Sequence, residues 1–111
     1  MPRRALALVA LANALACGGE QEGASAGEAA AGRGKLVYAN VCTACHNADP
    51  RQPGSLGPEL AGASQELIEA KVLRNEYPPG YAPKRAGATM PKYEYLASST
   101  ADLAAYLASA K

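Results

Sequence analysis

The run Cys42-Thr43-Ala44-Cys45-His46 restricts this chain more than any other stretch. Two thiols separated by two residues sit on one helical turn. The next residue is an imidazole, a strong neutral ligand for a transition metal. Two such thiols can add across the two vinyl groups of a porphyrin as thioethers. The adjacent histidine then lies under the ring and can bind its iron. The spacing is the attachment signature for c-type haem.

Three plainer readings compete with this one. A structural zinc site needs about four ligands, whereas the chain of 111 residues holds three cysteines and one histidine in all. A thioredoxin-like redox pair belongs in a βαβ setting, and no strand pattern of that kind is visible. A disulfide between Cys42 and Cys45 would close a small, strained loop. Haem attachment is the expectation, with Cys42 and Cys45 as the covalent attachment points.

The first third of the chain reads as an address. Arg3-Arg4 precede a short apolar run from Ala5 to Ala12, the form of a secretory signal over residues 1–16 and too short to span a membrane. Cys17 follows Ala14-Leu15-Ala16, which resembles a bacterial lipobox while departing from it at Ala14 and Leu15. The expectation is a lipid anchor at Cys17 on the periplasmic side of a bacterial membrane. The alternative is simple cleavage after Ala16 and a soluble periplasmic protein. Residues 17–33 are small, polar and acidic, and read as a flexible linker.

From residue 34 the composition changes. Gly34, Tyr38 and Cys42 recur at helical spacing and share one face. Residues 47–63 carry turn signals, among them Gly57-Pro58. In that loop the Pro58 carbonyl is a suitable acceptor for the second ring nitrogen of a ligating histidine, and Leu60 is placed to pack in the same pocket. Ser64 can cap a helix through about Arg74, with Leu67, Ile68, Val72 and Leu73 as its apolar face. Asn75 and Pro78-Pro79 end it. Residues 76–98 read as irregular. Ser99 to Asp102 resemble a capping box opening a last helix. Its face of Leu103, Tyr106, Leu107 and Ala110 should cross the first helix near Gly34 and Tyr38.

Met90 is the one methionine left once Met1 departs with the signal. A lone methionine in a loop is ordinarily packing. If the iron takes two strong protein ligands, however, Met90 is the natural second one, because no second histidine exists. Its thioether is a soft ligand that favours reduced iron, and Pro91 stiffens the loop behind it.

Charge adds little. The chain carries 11 basic and 10 acidic side chains, which gives no nucleic-acid signature. Lys84, Arg85 and Lys92 flank the Met90 segment and form a candidate basic rim for an acidic partner. Trp and Phe are absent, so six tyrosines supply the aromatic surface. A domain below about 80 residues usually needs a staple, and a covalently held haem would serve.

Taken in order, Gly34 and Tyr38, Cys42-x-x-Cys45-His46, Gly57-Pro58-x-Leu60, Met90-Pro91 and Asp102-Leu103-Ala104-Ala105-Tyr106-Leu107 make residues 34–111 resemble the small bacterial class I (monohaem) cytochromes c. The resemblance implies an all-α fold of about three to four helices around one covalently attached haem c. It implies iron held between His46 and Met90, with Tyr38, Pro58 and Leu60 in the haem pocket. The implied function is one-electron carriage between redox proteins such as a dehydrogenase, reductase or oxidase, with no catalytic residue of its own. A haem subunit of a larger oxidoreductase, and a peroxidase-like or gas-sensing domain, are the rival readings. Tyr93, Tyr95 and Arg51 are propionate partners by residue type only.

Overall fold

A computed structural model describes residues 25–85 and 90–111. The signal-like segment, Cys17 and residues 18–24 of the expected linker lie outside the described residues. Three α-helices and two short 3-10 turns are found among them, and no strand. Helix α1 is Ala26–Val41, α2 is Gln65–Arg74 and α3 is Thr100–Ser109. None of these helices is long and apolar enough to cross a membrane.

Helix α1 starts earlier than expected and corrects the linker at 17–33. Residues 26–33 are helical, with Ser25 as N-cap, its hydroxyl accepting the Glu28 N–H at 3.1 Å. These residues lack large apolar side chains and are helical all the same. Extending an existing helix needs no burial of its own, since each added residue gains a hydrogen bond without a new nucleus. Alanine is the residue that extends it most readily, and Ala26, Ala29, Ala30 and Ala31 are all here. Arg33, near the middle of this helix, forks onto Asp102 of α3 through two bonds of 3.1 Å.

The crossing of α1 and α3 is built as the sequence led one to expect. Gly34 is buried, and a Cβ there would strike the Asp102 carbonyl. One turn along, the rings of Tyr38 and Tyr106 meet with centroids 5.5 Å apart and planes at 57°. Tyr38, Ile68, Val72, Leu96, Leu103 and Leu107 form one buried cluster shared by α1, α2, α3 and the segment before α3.

Helix α2 has the expected ends. Ser64 accepts the Leu67 N–H at 3.1 Å, and Asn75 ends the helix in the left-handed region at φ 54°. The start of α3 differs. A 3-10 turn, Glu94–Ser99, runs straight into it, so residues 76–98 are not irregular throughout. Ser99 sits at φ −109°, ψ −2° and makes no side-chain cap. A capping residue needs an extended backbone, and chain already turning like a helix does not supply one. Thr100 instead donates to the Glu69 carboxylate at 3.2 Å, while Asp102 is taken by Arg33.

Candidate haem site

Directly after α1 the chain tightens into a 3-10 turn, Cys42–Ala44. The Cys42 carbonyl accepts from both the Cys45 and the His46 N–H, at 3.2 and 2.9 Å. This turn brings the two cysteines and the imidazole to the wall of one cleft. The thiols are not joined to each other. Burial pushes the Cys42 thiol up to about 11, so it is protonated near neutral pH. That is the opposite of the low-pKa thiolate a dithiol redox motif requires. Nor do His, Cys, Asp or Glu side chains gather in threes as a metal centre among the described residues, which leaves the zinc reading without a ligand set.

The cleft has about 1360 Å³ of empty space, counting solvent at its mouth. Tyr38, Cys42, Cys45, His46, Pro58, Leu60 and Met90, the pocket and ligand positions expected from sequence, all line it. Its floor is the buried core: Ile68, Val72, Leu96, Leu103 and Leu107 face it as well.

His46 is held from two directions. Its Nδ1 lies 2.9 Å from the Pro58 carbonyl. A carbonyl only accepts, so Nδ1 is the donor in this bond and Nε2 is the ring atom left for iron. Gly57 lies against the ring face, where a Cβ would strike Nδ1 and Cε1. Gly54 packs in the same way on the Cys45–Asn47 backbone. The sequence marks both glycines as turn residues, yet neither has a positive φ. Space, rather than backbone freedom, requires them, and no signal in the sequence distinguishes the two reasons.

Backbone bonds fix the loop that carries these groups. The Cys45 carbonyl accepts from Leu56 and Gly57 at 3.2 and 2.9 Å, and the Pro50 carbonyl from Leu60 and Ala61 at 2.8 and 2.9 Å. Tyr38, 2% exposed, sends its hydroxyl 2.5 Å to the Asn47 carbonyl. It is therefore core and cleft wall at once, and it ties α1 to the chain just past His46.

Met90 is half-buried, packs on the core cluster and lines the same cleft as His46. Of the side chains named by type for propionates, Tyr93 lines the cleft; Tyr95 is 71% exposed, and Arg51 is turned to Asp49 at 3.0 Å. Polar side chains not singled out for this also border the cleft, namely Lys71, Tyr77, Tyr81, Lys84 and Arg85. Lys71 sits 4.2 Å over the Tyr77 ring, and Tyr77 stacks on Tyr81. Of the expected basic rim, Lys92 is exposed, while Lys84 and Arg85 also bond within the molecule. Lys84 pairs with Glu59 at 3.3 Å, and Arg85 donates to the Gly54 carbonyl at 2.9 Å.

These residues fit a c-type haem. The cleft is apolar in its depth, with two unpaired thiols one turn apart and an imidazole whose Nδ1 is already committed to the Pro58 carbonyl. An all-α domain that closes its terminal helices over such a cleft is a haem-binding electron-transfer domain of the class I type. A family model for cytochrome c matches residues 31–111, and the chain belongs to that family. Its cofactor is a covalently attached c-type haem, and the protein is a haem-binding electron carrier. No curated protein and no solved structure matches the chain closely enough to be compared with it.

Proposed function

We propose that this chain carries one electron at a time between redox proteins, with Cys42 and Cys45 as the thioether attachments and His46 and Met90 as the two axial ligands. The observation that carries this reading is the pinned imidazole. With Nδ1 committed to Pro58, Nε2 is the only ring atom left to bind iron, in a cleft that Met90 also lines. When bound, haem supplies a single-electron couple at its iron. The chain's part is to keep both ligands in place in either oxidation state, so that little rearrangement accompanies transfer. His46 is oriented by Pro58 and Gly57. Met90 contributes a soft sulfur that favours the reduced state. The buried floor of Ile68, Leu96 and Leu103 keeps water from the ligand face.

Catalysis of peroxide reduction needs an open distal position and an acid–base group there. The sole histidine of the chain is the one pinned by Pro58, which supports carriage over catalysis. We further propose that the domain works on the periplasmic side of a bacterial membrane, tethered by a lipid on Cys17, with a dehydrogenase, reductase or oxidase as donor and acceptor.

Mass spectrometry of the mature protein tests attachment and tether together. The expected mass is that of residues 17–111 plus one haem and the acyl groups. A mass with haem and no lipid removes the tether alone. Free, alkylatable Cys42 and Cys45 would overturn the whole reading. The ligand assignment is tested by the near-infrared charge-transfer band between methionine sulfur and ferric iron, expected in the native protein and lost in Met90→Ala.

A further inference from the structure

The apolar face expected for α2 includes Leu73, yet it is Lys71 that lines the cleft beside Leu67, Ile68 and Val72. Lys71 is half-buried and stands one turn beyond Leu67 on the same stripe. Its ammonium donates to the Asn75 side chain at 3.0 Å and lies 4.2 Å over the Tyr77 ring. Both partners are neutral. The four ion pairs among the described residues use Arg33, Arg51, Arg74 and Lys84, and Lys71 belongs to none of them. An ammonium has three donors, and Asn75 takes one. The corner around it is set by backbone geometry. Asn75 ends α2 in the left-handed region at φ 54°. A turn closed by the Tyr81 N–H on the Pro78 carbonyl at 3.1 Å, with Gly80 at φ 79°, then brings Tyr81 back to stack on Tyr77.

We propose that Lys71, with the hydroxyls of Tyr77 and Tyr81, is the seat of a haem propionate. Haem carries two carboxylates on the edge away from its vinyl groups. A carboxylate set against an apolar cleft is costly unless a cation or a donor answers it. The charged side chains that line the cleft are Lys71, Lys84 and Arg85, with no Asp or Glu beside them among the described residues. Lys84 is already answered by the Glu59 carboxylate at 3.3 Å. Arg85 commits its guanidinium to the Gly54 and Ser55 carbonyls at 2.9 and 3.4 Å. Lys71 has no such commitment, and it stands on a suitable wall. The attachment turn Cys42–Ala44 packs on α1, whereas α2 packs on α3 and on the 3-10 turn before it. Burial alone raises the Cys42 thiol, with no part played by a nearby cation. The vinyl edge and Lys71 thus belong to different walls of the cleft.

The inference rests on haem attachment at Cys42 and Cys45 and is independent of Met90. Alkylatable thiols would remove the attachment, whereas the measurement below bears on the seat alone. In the full-length haem-loaded protein, the reduction midpoint is followed against pH. An ionised propionate favours ferric iron, so the midpoint falls as the propionate loses its proton. A cation beside it moves that fall to lower pH. Lys71→Met keeps the apolar stem and removes the charge. The fall is then expected about one pH unit higher than in native protein. Lys71→Arg keeps the charge and should retain the native profile. Lys92→Met removes an exposed lysine that does not line the cleft and should retain it too. His46, Lys84, Arg85, Tyr38 and Tyr93 also face the cleft, with Glu59 behind Lys84; all are kept in these variants. Replacing Tyr77 and Tyr81 together by Phe removes only the hydroxyls and should move the fall upward by less. That double variant carries the test if Lys71→Met does not retain haem. A native profile in Lys71→Met, or in the double variant where it stands in, would overturn the seat. An equal shift in Lys92→Met would overturn it as well, because the effect would then be one of net charge.

Discussion

The His46 imidazole leaves no room for a side chain at residue 57: a Cβ built on Gly57 falls within 2.7 Å of Nε2 and closer still to Nδ1 and Cε1. The ring is thus clamped between a glycine on its face and the Pro58 carbonyl on its edge. Gly57→Ala must displace either the ring or the loop. Overpacking of this kind costs about 1–3 kcal/mol. The variant is expected to lose that much stability in denaturant titration and to show a shifted reduction potential. By contrast, Gly32→Ala meets nothing within 4 Å and lies in an exposed part of α1. It should gain up to about 1 kcal/mol through helix propensity alone.

Gly34→Ala tests the crossing of the terminal helices. The added methyl would collide with the Asp102 carbonyl and the Leu103 nitrogen, which are backbone and cannot swing aside. The expected loss is at the upper end of overpacking, about 3 kcal/mol, read as a lowered denaturation midpoint of the haem-loaded protein. A loss below about 1 kcal/mol would mean that α1 and α3 can slide apart cheaply.

On the proposed ligation, replacing Met90 changes the potential in a set direction. Met90→His offers iron a harder nitrogen, so the oxidised state gains. The midpoint should fall on the order of 0.1 V, part of the roughly 0.8 V span that axial ligands cover. Potentiometric titration measures it, and an unchanged midpoint would count against Met90 as ligand.

Tyr38 ties stability to alkaline pH. Burial, above all, raises its phenol from 10.0 to about 12, with smaller contributions from Cys42, Tyr106 and Asp49. The unfolded phenol loses its proton near pH 10 while the folded one holds it. Tyr38 therefore favours the folded state fully below pH 10, and that advantage drains away as pH rises towards 12. Against native protein, Tyr38→Phe should be less stable at pH 8, where the bond to the Asn47 carbonyl is missing. The gap in thermal midpoint should narrow between pH 10 and 12. A gap constant over that range would mean that the phenol titrates normally.

Several features were legible because they depend on residues close in the chain. The attachment motif, the Ser64 cap, the Asn75 stop and the faces of α2 and α3 follow from helical spacing and from which side chains can bond their own backbone. The tie from Pro58 to His46 was foreseeable from chemistry, since a ligating imidazole wants an acceptor and the loop offers one. The start of α1 is not legible from apolar patterning, because alanine next to an anchored helix orders the chain without large apolar side chains.

Spacing and side-chain chemistry alone thus marked out the Cys42–His46 turn and the helical faces that close over it, for these are short-range matters set by covalent geometry. Only the tertiary structure decided that Gly57 is needed for space, that Asp102 answers Arg33 instead of capping α3, and that Lys84 and Arg85 bond to Glu59, Gly54 and Ser55. Each of these depends on where a loop returns in three dimensions, and a backbone carbonyl is an equally good acceptor at every residue. The sequence therefore carries no mark of which carbonyl a distant cation will find.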